Sequence, residues 1–143
     1  MEGKTQPIAV LLADDDVRFR TIVRSILEDD GYQVVAEAGD AGETRAMARL
    51  HHPDVVVLDL VMEGSVGLST ARELLDDDPR RPVVVISSLF DPLVEREAAR
   101  MGAWYVEKME GIDALEHAIN DAISVSNPDY LAPSGDGPPC QAG

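Results

Sequence analysis

Residues 8–16 read IAVLLADDD, six apolar positions that run straight into three aspartates. A stretch apolar at every position suits a strand covered on both faces, as in a parallel sheet. Two further runs behave alike: VVVL at 55–58 ends at Asp59, and VVVI at 83–86 ends at Ser87 and Ser88. QVVAEA at 33–38 carries Gln33 and Glu37 and belongs nearer an edge, while WYV at 104–106 leads to Lys108.

Between these runs the spacing is helical. Phe19, Ile22, Val23, Ile26 and Leu27 form one apolar stripe, with Gly31 placed as a left-handed cap. Ile112, Leu115, Ile119, Ala122 and Ile123 form another, stopped at Asn127-Pro128. Shorter helices are expected at 41–51, 68–77 and 92–101, the last with Pro92 in its first turn and Gly102 after it. Five strands alternating with five helices predict an α/β doubly wound sheet, with right-handed crossovers placing helices on both faces.

The chain's 143 residues are the size of one domain. Polar residues 1–6 and the Pro/Gly-rich 127–143 have little to bury and are expected to be flexible ends flanking a folded body at 7–126. Twelve basic against 27 acidic residues leave a formal charge of −15, which argues against direct nucleic-acid binding or a role at anionic membrane surfaces. No apolar run approaches the ~20 residues that span a bilayer, so a soluble, cytoplasmic chain is expected. The single cysteine, Cys140, cannot close an internal disulfide. His51, His52 and His117 have no metal-ligand spacing and read as surface residues.

In a doubly wound sheet, ligands bind beyond the carboxyl ends of the strands. Those ends here carry Asp14-Asp15-Asp16, Asp59, Ser87-Ser88 and Lys108, residues that only the fold could gather. Carboxylates beside a hydroxyl and an ammonium suit magnesium-assisted phosphoryl transfer, because Mg²⁺ takes oxygen ligands and clustered carboxylates need a cation to stay ionised. Asp16 suits the N-cap of the first helix instead. Lys108 is one of only two lysines among 12 basic residues, which sets its compact ammonium apart from the guanidinium used elsewhere.

With these motifs in order, the chain resembles the receiver domain of a two-component response regulator of the chemotaxis-regulator type. IAVLLADDDVRFR matches the opening strand and acidic pair, VVVLDLVMEGSVG the phosphoacceptor strand and loop, VVVISS the hydroxyl strand and GAWYVEK the lysine strand. The resemblance covers about residues 7–126 and implies a flavodoxin-like five-stranded parallel sheet in the order 2-1-3-4-5.

It also implies that Asp59 accepts a phosphoryl group from a sensor histidine kinase or phosphotransfer protein. Mg²⁺ would be held by Asp14, Asp15, Asp59 and the Val61 carbonyl. Lys108 would pair first with Asp59 and then with a phosphoryl oxygen, and the Ser87 hydroxyl would bind another. Ser87 and Tyr105 would form the switch, biasing the face of helix 4, strand 5 and helix 5 toward a downstream protein partner, an output domain or a phosphorylation-dependent homodimer. Such a domain is a signalling phosphoacceptor rather than an enzyme. Strand alternation puts Tyr105 on the sheet face opposite Trp104 and Val106. Trp104 itself reads as core against the last helix, or as a partner anchor.

Glu63, Val66 and Met109 depart from the family's usual proline, aspartate and proline; with Met109 no cis peptide is expected after Lys108. Val61 and Leu89, at the entry to the site in relatives, are both apolar and predict slow dephosphorylation. A competing reading keeps the fold as a phosphorylation-independent interaction module. A small phosphohydrolase or flavin-binding protein on the same sheet is disfavoured by the lack of a Gly-rich phosphate loop and by 4% aromatic content.

Overall fold

The computed structural model describes residues 6–62 and 68–127. Most of the two expected flexible ends, together with Cys140, Glu63, Val66 and Gly67, lies outside the described residues. Five strands are formed: β1 (Ala9–Ala13), β2 (Gln33–Ala38), β3 (Val55–Asp59), β4 (Val83–Ser87) and β5 (Trp104–Glu107). They alternate with α1 (Val17–Asp29), α2 (Ala41–His51), α3 (Ser69–Asp77), α4 (Pro92–Met101) and α5 (Ile112–Ser126), and a short 3₁₀ turn at Lys108–Glu110 precedes α5.

All strand pairs are parallel, in the order β2-β1-β3-β4-β5. The runs that are apolar throughout occupy the middle. β3 and β4 are buried at every position, and β1 at all but Ala9. Gln33 and Glu37 fall on the edge strand β2, where a polar side chain can reach water.

Period-two alternation splits the core into two layers. Val10, Leu12, Val55, Val57, Val84, Ile86 and Val106 face α1 and α5, where Val23, Leu27, Leu115 and Ile119 meet them. Leu11, Ala13, Val56, Leu58, Val83 and Val85 face the opposite layer, with Ala48 of α2, Leu74 of α3 and Ala98 of α4. Trp104 packs half-buried on the first layer and Tyr105 on the second, as alternation requires.

Helix ends follow local chemistry. The Asp16 carboxylate caps α1 by accepting from the amides of Arg18 and Phe19 at 3.0 and 3.3 Å. Asp91 caps α4 in the same way. Gly31 and Gly102 adopt φ of 98° and 88°, the left-handed exits that β-carbons disfavour. One stripe position differs from expectation: Ile22 is 56% exposed, because it lies on the flank of α1 and only Val23 and Leu27 are fully buried. Among the described residues no helix is long and apolar enough to cross a membrane. The three histidines are exposed.

Candidate functional site

The winding direction reverses between β1 and β3, and the carboxyl ends of these two strands carry Asp14 and Asp59. Both aspartates are almost fully buried, at 2% and 3% exposure, whereas Asp15 faces solvent. Pairing of Ala13 with Leu58 brings the two strand ends level, so residues 45 positions apart share one crevice. Carboxylate oxygens of Asp14, Asp15 and Asp59 lie within 4.8 Å of one another.

The ammonium of Lys108 closes this crevice from the end of β5. It lies 2.8 Å from Asp14 Oδ2 and 3.5 Å from Asp59 Oδ2. Lys108 is thus in reach of both buried acids but rests closer to Asp14, where the family resemblance led us to expect its main partner to be Asp59. No cis peptide occurs among the described residues, in keeping with Met109 after the lysine.

Charge is under tension here. Burial, then the neighbouring Asp14 carboxylate, push the Asp59 carboxyl up from 3.8 to about 6, against the opposing pull of the Val61 amide and Lys108. The Val61 N–H donates to Asp59 Oδ1 at 3.2 Å. Burial works against the charge on Lys108, but its close ion pair with Asp14 and the charge of Asp59 outweigh that and raise its pKa. Asp14 Oδ1 accepts from the Asp16 amide at 2.9 Å. Asp14 Oδ2 is sealed from solvent and meets no well-aligned hydrogen bond, only the Lys108 charge.

One ammonium set against three carboxylates leaves a negative excess, and a sealed carboxylate oxygen without an aligned donor suits a hard cation. The donor set therefore fits a divalent ion such as Mg²⁺.

Ser87 sits at the end of β4, but its hydroxyl is engaged in its own loop, donating to the Leu89 carbonyl at 2.6 Å. The Tyr105 hydroxyl reaches the same carbonyl at 3.4 Å and accepts the Asp91 amide at 3.3 Å. The two expected switch residues thus share one acceptor, and through Asp91 they touch the cap of α4. Val61 and Leu89 are 69% and 79% exposed.

Sequence reasoning passed over two neighbours of the site. Arg20 donates through Nη1 to the Asp14 carbonyl and through Nε to Glu37 at 2.8 Å, which ties the acidic loop to β2. Phe19 lies with its ring centroid 4.3 Å from Lys108 Nζ. Both follow the acidic triplet on α1, and their helical phase relative to Lys108 required the assembled sheet.

A family model described as a response regulator receiver domain matches residues 10–120. The chain belongs to the response regulator receiver family. Among its relatives is the transcriptional regulatory protein PdtaR of Mycobacterium tuberculosis, 34% identical over 119 residues, covering 82% of this chain and 58% of that protein. Response regulator GacA of Pseudomonas aeruginosa is 34% identical over 128 residues, covering 88% of this chain and 59% of that one. The receiver therefore spans less than two thirds of the length of these relatives. Its backbone superposes on the crystal structure of a LuxR-family two-component response regulator from an Aurantimonas species with a TM-score of 0.78, at 29% identity and coverage of 89% and 91%.

Proposed function

We propose that residues 7–126 form a phosphorylatable receiver in which Asp59 accepts a phosphoryl group from a phosphohistidine on a sensor histidine kinase or phosphotransfer protein. A carboxylate oxygen of Asp59 forms the new bond to phosphorus as the phosphorus–imidazole bond breaks. The electron pair stays on the leaving nitrogen, which takes its proton from solvent. Mg²⁺, held by Asp14, Asp15, Asp59 and the Val61 carbonyl, would neutralise charge on the phosphoryl oxygens. Lys108 binds one of those oxygens, and the Ser87 hydroxyl binds another after leaving Leu89.

The observation that carries this reading is the convergence of Asp14, Asp15 and Asp59, with one ammonium in reach of Asp14 and Asp59. Phosphoryl transfer asks the protein mainly for positioning and charge neutralisation, and this crevice offers both. The domain is a signalling receiver that would assist only its own phosphorylation and dephosphorylation. Its setting would be the cytoplasm, and its output a protein partner, an output domain or a second copy engaged through α4, β5 and α5.

Incubation with acetyl phosphate and Mg²⁺, followed by intact-mass measurement, tests the assignment. One added phosphoryl group is expected on the wild-type chain and none on Asp59→Asn. An unmodified wild type would instead support a phosphorylation-independent interaction module.

A further inference from the structure

We propose that Phe19 is a positioning residue for Lys108, holding the ammonium at the crevice through the face of its ring. The inference rests on the phosphoacceptor reading of Asp59 for its consequence, but not for the contact itself. Lys108 Nζ stands 4.3 Å from the ring centroid, well inside the range where the negative ring face attracts a cation. The lysine side chain is only 19% exposed, so water weakens this attraction little.

Phe19 is itself placed by the acidic loop. Its amide bonds to the capping carboxylate of Asp16, and that residue's amide bonds to Asp14. The loop into α1 and its first turn thereby bring the Asp14 carboxylate and the Phe19 ring to the same ammonium.

The ring differs in kind from the other partners. Asp14 and Asp59, the two carboxylates that hold Lys108, both belong to the cluster suited to a divalent cation. Any cation there competes with Lys108 for their charge. A phenyl ring has no lone pair to offer a hard ion, so its hold on the ammonium persists when the carboxylates are otherwise engaged. Among the described contacts of Lys108, Phe19 is the one whose attraction the metal cluster does not share. Its function is to keep the ammonium within reach of an incoming phosphoryl oxygen.

Three variants of the full chain test this: Phe19→Leu, Phe19→Tyr and site-specific pentafluorophenylalanine at position 19. The fluorinated ring keeps the shape of phenyl while reversing the polarity of its face. A cavity of about 20 Å³ lined by Phe19, Ile86, Val106 and Lys108 adjoins the ring.

In the metal-free protein, NMR should find the Lys108 ε-methylene protons displaced upfield by the ring current. The displacement should persist in Phe19→Tyr and vanish in Phe19→Leu. The rate of phosphorylation by acetyl phosphate and Mg²⁺ should fall about three- to tenfold in Phe19→Leu and in the fluorinated protein, and recover in Phe19→Tyr.

Absence of the upfield displacement in the wild type overturns the proposal. So does a fluorinated variant that reacts at the wild-type rate, or a Phe19→Tyr rate as low as that of Phe19→Leu. If the wild type takes no phosphoryl group at all, the phosphoacceptor reading fails, and the proton shifts alone decide whether Phe19 positions the ammonium.

Discussion

The Lys108 ammonium rests 2.8 Å from Asp14 Oδ2, and its approach to Asp59 is longer, at 3.5 Å. Asp59 is thus the less compensated of the two buried acids. Its pKa rise to about 6 follows from burial first and from the charge of Asp14 second. A carboxylate held this way is costly to ionise without a further cation beside it.

That cost has a definite pH signature. A carboxyl whose folded pKa is raised binds protons more tightly in the native state. Its stability contribution is therefore full below pH 4, falls as pH climbs toward 6, and is absent above. Asp59→Asn should remove the decline, raising stability at pH 7.5 by roughly 2–3 kcal/mol relative to wild type. Thermal melts from pH 4 to 8 check this. Mg²⁺ should raise the wild-type midpoint and do so far less in the variant.

The Ser87 and Tyr105 hydroxyls meet at the Leu89 carbonyl, and Tyr105 also accepts the Asp91 amide that begins the α4 cap. A Ser87 hydroxyl drawn toward a phosphoryl group must release Leu89, which loosens Tyr105 and the start of α4 together. Phosphorylation is expected to shift the amide resonances of Leu89, Asp91 and Tyr105 as a group. Tyr105→Phe should reproduce the Asp91 shift without phosphate. Resonances around Tyr105 that stay put on phosphorylation would reject the coupling.

Much of this arrangement was legible before folding. β1, β3 and β4 declare themselves because burial on both faces leaves no polar position within the run, and Asp14, Asp59 and Ser87 mark where each apolar run ends at the crevice. Glu37 placed β2 at an edge, although its pairing with Arg20 depends on how α1 lies over the sheet. The choice of Lys108 between two carboxylates, the Ser87 rotamer turned toward Leu89 and the ring of Phe19 beneath Lys108 were not legible. Each is decided by ångström-scale tertiary placement, to which residue type and spacing are blind. Ile22 belongs to the apolar stripe yet is exposed for a related reason: helical period alone does not say how wide a face the sheet covers.

A second acid lies under strain away from the site. Burial, with Asp30 beside it and Asp113 nearby, pushes the Glu116 carboxyl from 4.5 up to about 8, and Oε2 of Glu116 is sealed from water without a hydrogen-bond partner. The sign matches that at Asp59: native stability should decline as pH rises from about 5 to 8. Glu116→Gln keeps the shape and removes the charge, so its midpoint should exceed that of wild type at pH 8.5 and match it at pH 4.5. Equal midpoints at both pH values would show that Glu116 ionises without strain.

Val61 and Leu89 stand exposed on the loops after β3 and β4, where the family resemblance implies that their aliphatic side chains meet the entry to the site. Hydrolysis of an aspartyl phosphate needs a water held in line with the phosphorus–oxygen bond, and alignment of this kind comes from a hydrogen-bonding group at the rim. Neither side chain has one. The phosphorylated receiver is therefore expected to be long-lived, decaying over minutes or longer, when followed by intact mass after removal of acetyl phosphate. Val61→Asn, and more so Val61→Asn combined with Leu89→Gln, should shorten that lifetime severalfold while leaving the fold intact, since both positions already face solvent. A wild-type lifetime of seconds, or variants that decay no faster, would mean that water is aligned by groups other than these two.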